Sequence, residues 1–179
     1  MRLFAGIELD LATRDACARV QDRLRAASFD ARYEAEDKLH VTLAFLGRVE
    51  PAQLPEVEAI LDEAAGKQPP FELMFDKLGA FPHERRPRVI FVGSRAQRAP
   101  FRALATQLRE RYAALGFSFD DDAVAHVTIA RVKGGSARPL LLLEIAPMEL
   151  RVAELALFES LADKQTTRYV VRKSSAMRS

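Results

Sequence analysis

The chain is short of cysteine, of long apolar runs and of net charge, and each shortage excludes something. A single cysteine, Cys17, rules out an internal disulfide, so a reducing compartment suits the protein. Its place in a helical pattern predicts a small residue in or near the core. No apolar run approaches the length of a membrane span, and the opening Met1-Arg2-Leu3-Phe4-Ala5-Gly6-Ile7-Glu8 meets charge before a signal-peptide core has room to form. A cytoplasmic protein without a membrane anchor is the expectation. The net charge is only +2, so the total predicts no strong nonspecific hold on nucleic acid, and any attraction to phosphate falls to local clusters. No phosphate-cradling glycine loop with its lysine is present, which leaves ATP-driven chemistry unsupported.

What is present is a duplicated hexapeptide. The stretch Leu39-His40-Val41-Thr42-Leu43-Ala44-Phe45 returns as His126-Val127-Thr128-Ile129-Ala130-Arg131. Both copies have the form His, apolar, Thr, apolar, Ala. In a strand His and Thr two apart face the same way, while Val41 and Leu43, like Val127 and Ile129, face a core. An alternating strand with one histidine is commonplace, but the sequence has three histidines and two of them stand in matching motifs. Two such strands brought together make a two-histidine site. Neither motif has a close second His or Cys, or an acidic partner at helical spacing, so no metal is implied.

At 179 residues, 49% of them hydrophobic, the chain is long enough for one large domain or two small lobes. Strand character over Leu3 to Leu9 is followed by a plausible N-cap, Asp10, and an amphipathic helix from Leu11 to about Ala27. A short strand at Arg32 to Glu34 and a turn at Asp37-Lys38 lead into the first histidine strand. A second helix starts near Pro51 and is expected to stop at Gly66. Phe71 to Phe81 reads as one strand bent at Gly79, His83 to Arg88 as a charged turn, and Val89 to Val92 as a buried strand. A third helix covers Ala99 to Leu115, capped by Gly116, ahead of Asp120-Asp121-Asp122 and the second histidine strand. Gly134-Gly135-Ser136 reads as the most flexible point. Strands at Met148 to Val152, Glu154 to Leu161 and Arg168 to Arg172 follow, with a frayed tail. The order suggests two α+β lobes of similar construction with sheets facing across a cleft.

These residues resemble the two-histidine phosphoesterases, and among them the bacterial RNA 2′,3′-cyclic phosphodiesterases, also called 2′-5′ RNA ligases. The resemblance runs through Arg2-Leu3-Phe4-Ala5, the two motifs, Leu78-Gly79-Ala80-Phe81-Pro82 and Arg86-Pro87-Arg88-Val89. It departs at Ala125, where such proteins often have proline. It implies a single bilobal α+β domain over residues 1–179, with two pseudo-symmetric lobes, antiparallel sheets facing a central cleft and helices outside. The implied partners are RNA ends or small nucleotides carrying a 2′,3′-cyclic phosphate, with no cofactor and no metal. Nothing in the sequence demands an oligomer, and a monomer is expected.

Opening a cyclic phosphate requires deprotonating a water on one side of phosphorus and protonating a ribose oxygen on the other. Two imidazoles in opposite protonation states do both. Thr42 and Thr128 can donate hydrogen bonds to the nonbridging oxygens. In the proteins resembled, the product is a 2′-phosphate, which implies His40 as general acid and His126 as general base; the two motifs are so alike that the reverse assignment stays open. The resemblance also implies Arg131 as a phosphate-binding residue and Phe45 as an aromatic that holds the nucleotide. Strict alternation places both on the face opposite the histidines, so the strand has to twist or bulge for them to serve, and for Phe45 a core position is an equal reading. His83 reads as a solvated turn residue, and Arg85, Arg86 and Arg88 as an exposed turn that could border the cleft. Other readings are a phosphodiesterase of 2′-5′ linked oligonucleotides or another cyclic nucleotide, and a noncatalytic RNA-end binding protein.

Overall fold

The structure is a computed structural model describing residues 1–96, 98–133, 140–162 and 166–178; the glycine-rich stretch 134–136 lies outside the described residues. Alternating and apolar segments become β1 (Arg2–Glu8), β2 (Ala31–Tyr33), β3 (His40–Arg48), β4 (Phe71–Phe75), β5 (Lys77–Phe81), β6 (Val89–Gly93), β7 (His126–Val132), β8 (Met148–Val152), β9 (Glu154–Ala162) and β10 (Thr167–Ala176). The periodic segments become α1 (Leu11–Ala26), α2 (Leu54–Lys67) and α3 (Ala99–Ala114). Asp10 caps α1 by accepting the Thr13 amide at 2.8 Å. Pro51 opens a 3-10 turn before α2. That helix ends at Lys67, one residue past Gly66, and Pro69-Pro70 bar its continuation.

The fold is α+β and bilobal. One lobe carries the strand order β10-β9-β1-β3, the other β7-β6-β5 with β2 also on β7, and the two histidine strands join them through an antiparallel pairing of Val41 with Val127. A separate two-stranded sheet pairs β4 with β8. The helices lie on the face away from the histidines: α1 packs on β7 and β8, α2 on β9 and β10, and α3 on β3 and α2. Phe101, Leu104, Ala105 and Leu108 give α3 its wholly buried face. Burying each of the larger three stabilises the fold by about 1.5–3 kcal/mol relative to exposure. One continuous cluster of buried side chains joins residues from both lobes, including Leu43 and Ile129. Cys17 belongs to it, and burial pushes its thiol up to about 12, which keeps it protonated and inert.

Two sequence expectations need correction. Phe71 to Phe81 is not one strand: it breaks at Asp76, whose carboxylate accepts the Arg95 amide at 2.8 Å, so that β4 and β5 enter different sheets. Nor does the last strand stop at Arg172, because β10 stays paired with β9 as far as Ala176 opposite Glu154. Among the described residues no helix is long and apolar enough to cross a membrane.

Candidate active site

Both motif strands show the same burial sequence. His and Thr are half-buried, alternating with buried residues; then two consecutive residues are buried and the next is exposed, from His40 to Phe45 and from His126 to Arg131. The register explains the break. Thr42 faces Gly6 and Ala44 faces Ala5, so Leu43 opposes no residue of β1. Thr128 faces Phe91 and Ala130 faces Ile90, so Ile129 opposes none of β6. Each strand thus carries a one-residue bulge after its Thr, which shifts the alternation by one. Phe45 and Arg131 are thereby returned to the histidine face. Phe45 is 50% exposed, so the core reading of that residue does not hold.

The two histidines are held alike. His40 Nδ1 lies 2.7 Å from the Lys38 carbonyl oxygen, and His126 Nδ1 lies 2.8 Å from that of Val124. A carbonyl only accepts, so Nδ1 carries the proton in both, and each neutral ring turns an unprotonated Nε2 elsewhere. His40 Nε2 accepts the Thr42 hydroxyl at 3.1 Å. Burial lowers both imidazoles from the usual histidine range. The carbonyl bonds oppose that shift in both, and the positive charge of His126 adds to it at His40.

Aromatic rings fix the imidazole planes. Around His40 stand Phe4, with centroids 4.7 Å apart, Tyr169 edge-on at 5.1 Å and Phe158 at 5.7 Å. Around His126 stand Phe81 at 5.1 Å and Phe91 at 5.3 Å, both T-shaped, and those two stack at 4.4 Å. The Phe91 ring lies where a side chain on Gly79 would be, and a Cβ there would collide with Phe91 Cζ. Glycine at 79 therefore serves a close approach rather than the bend expected from the sequence.

Two cavities meet at the motif strands. The smaller, about 200 Å³, is lined by His40, Thr128, Glu34, Lys38, Arg131 and Tyr169 among others. The larger, about 790 Å³, is lined by His126, Phe81, Arg109, Phe119 and the Asp120 to Asp122 run. Thr42 and Phe45 line both. Arg131 Nε donates to Glu34 Oε1 at 2.6 Å, which fixes the guanidinium at the small cavity. His83 is exposed and accepts the Arg86 amide at 3.2 Å. Arg85, Arg86 and Arg88 are exposed in the same turn, which returns to the sheet beside Arg131 through the bond from the Val132 amide to the Arg88 carbonyl at 3.0 Å.

The structure brings together His40, Thr42, Phe45, His126, Thr128 and Arg131, all six singled out in the sequence. Sequence reasoning missed Glu34, Tyr169, Phe158 and Phe91 as parts of the site. Tyr169 carried a faint signal, since Thr167, Tyr169 and Val171 alternate, but alternation does not say which face meets a histidine.

The family model for LigT-like phosphoesterases matches residues 7–91 and 92–169. A curated relative from Methanothermobacter thermautotrophicus, named RNA 2′,3′-cyclic phosphodiesterase, is 31% identical over 89% of this chain and 90% of its own. A crystal structure from Thermus thermophilus superposes with a TM-score of 0.84 at 28% identity, over 99% of this chain and 98% of that one. The structure of E. coli LigT complexed with NADP+ gives 0.82 at 27% identity, over 99% and 98%. With one match to each half of a duplicated fold, the chain belongs to the LigT-like phosphoesterases, a family of the two-histidine phosphoesterase superfamily.

Proposed function

We propose that this protein, acting as a single bilobal unit, hydrolyses the 2′,3′-cyclic phosphate ends of RNA to 2′-phosphates by two-histidine acid/base catalysis that needs no metal. The observation that carries the reading is the matched setting of the pair, with Nδ1 of each ring against a backbone carbonyl two residues earlier, so that both rings present Nε2 toward the motif threonines' side of the strand. The name of the Methanothermobacter relative supports the substrate class.

In this reading neutral His126 takes a proton from the attacking water through Nε2 as the new P–O bond forms. The P–O3′ bond breaks, and protonated His40 delivers its Nε2 proton to the departing O3′. The product carries a 2′-phosphate and a free 3′-hydroxyl, and exchange with solvent restores the starting protonation states. Thr42 and Thr128 donate to the nonbridging oxygens, Arg131 binds the phosphate and Phe45 supports the nucleotide. By microscopic reversibility the same apparatus has a second, side activity. There a nucleoside 5′-hydroxyl replaces water, so that 2′-5′ linkages are made or cleaved.

The test is hydrolysis of an oligoribonucleotide ending in a 2′,3′-cyclic phosphate, with EDTA present, comparing the wild type with His40→Ala and His126→Ala. Conversion to a 2′-phosphate, lost in both variants, is expected. A 3′-phosphate product would exchange the assigned leaving group, and binding without turnover would leave a noncatalytic RNA-end protein.

A further inference from the structure

A β-bulge costs a strand its regular pairing, and a backbone carbonyl beside it needs another donor. Beside each motif-strand bulge a helix side chain supplies one, at Ile129 alongside the Glu34 amide, which donates to the same carbonyl at 3.0 Å. Arg109 of α3 donates its Nε–H to the carbonyl of Leu43 at 2.9 Å. Gln21 of α1 donates from Nε2 to the carbonyl of Ile129 at 2.9 Å. Leu43 and Ile129 are the residues after each motif Thr that oppose nothing on the neighbouring strand. The arrangement is thus repeated in both lobes by two chemically different side chains.

Each clamp has a second hold on the site. The amide of Gln21 also donates to the Glu34 carbonyl at 2.8 Å, so both of its N–H bonds serve acceptors at the site. Glu34 is the residue whose carboxylate holds Arg131. Gln21 is 3% exposed, a placement that a neutral amide tolerates only with its hydrogen bonds made. Arg109 reaches the Asp121 backbone carbonyl as well, five residues ahead of His126, and its guanidinium lies 5.4 Å from the centre of the Phe119 ring. One side chain therefore links the bulge of the first motif strand to the segment that enters the second.

We infer that Gln21 and Arg109 are positioning residues that hold the two bulges in register, and so keep Arg131 and Phe45 on the catalytic face. This rests on the proposed roles of Arg131 and Phe45 in substrate binding. Without the bulge, strict alternation turns the fifth residue after each histidine away from the cleft, while His and Thr, which precede it, stay where they are. Loss of a clamp therefore raises KM more than it lowers kcat.

Two double-mutant cycles test this, with a cyclic-phosphate oligoribonucleotide as substrate: Gln21→Met with Arg131→Ala, and Arg109→Met with Phe45→Ala. Expected is a several-fold rise in KM for each single variant, and for each pair a rise no greater than the Arg131 or Phe45 variant gives alone. Independent multiplication of the two effects in both cycles would overturn the inference, because a general loss of packing acts whether or not the fifth residue is present. Should Gln21→Met fail to fold, the Arg109 cycle decides alone. Unchanged KM in Arg131→Ala and Phe45→Ala would sink the binding roles instead. The clamps are then judged by a crystal structure of Arg109→Met, where a persisting bulge at Leu43 with Phe45 still facing the cleft overturns the inference.

Discussion

Val41 and Val127 face each other across the junction of the two lobes. Because the pairing is antiparallel, one step along either strand brings His40 toward Thr128 and Thr42 toward His126. The cavities fit this crossing, since Thr128 joins His40 at the small one, and Thr42, which lines both, joins His126 at the large one. In the proposed mechanism, a phosphate at the junction draws a hydroxyl from each lobe.

That crossing gives the threonines comparable weight. Thr42→Val and Thr128→Val are each expected to lower kcat/KM by about 10²-fold, the scale of a lost donor to developing oxyanion charge. The serine variants should retain most activity. Steady-state kinetics on a cyclic-phosphate oligonucleotide checks both, and a valine variant at wild-type rate removes that hydroxyl from the mechanism.

The histidines set the pH dependence. Burial holds both below the usual histidine range, so the singly protonated pair is most populated at pH below about 6.5. The bell-shaped profile of kcat/KM should accordingly peak on the acid side of that value, and His40→Ala should abolish the bell. Stability moves the opposite way. The folded chain binds fewer protons at these sites than the unfolded chain does, so the contribution is whole above pH 6.5 or so and is lost as pH falls through the folded values. Thermal melts from pH 8 to 5 on wild type and on the His40→Ala, His126→Ala double variant read that difference directly.

Gly79 faces the ring that rests on His126. Gly79→Ala forces Phe91 aside and is expected to cost about 1–3 kcal/mol of stability as an overpacked site. Activity should fall further than the melting temperature implies, because Phe91 packs on the imidazole. Gly66→Ala is the control: nothing lies within 4 Å of its Cβ position, and it sits inside α2, where alanine is the better helix former.

Much of the site was legible locally. His40, Thr42, His126 and Thr128 were found because period-2 alternation is a property of a strand by itself, and a repeated motif in a histidine-poor chain stands out. Asp10 was found as a cap for the same kind of reason, its partner Thr13 being three residues away. Phe45 and Arg131 were singled out only through family resemblance, and alternation alone placed them on the wrong face. The bulges that turn them back exist only in the pairing of β3 with β1 and of β7 with β6.

The same division runs through the rest of the molecule. Gly79 suggested a bend and the break falls at Asp76 instead, because what interrupts the strand depends on Arg95 and Phe91, which lie outside Phe71 to Phe81. Glu34, Gln21, Tyr169 and Arg109 carry no motif, and they reach the site through contacts between segments far apart in the chain. The sequence by itself determined which groups could do chemistry and which way each strand and helix would present its apolar side, because those are short-range consequences of side-chain spacing. Tertiary structure alone decided the register of the strands, the two bulges and the rings around each imidazole, because a one-residue shift between distant strands reverses a face and is invisible in either strand alone.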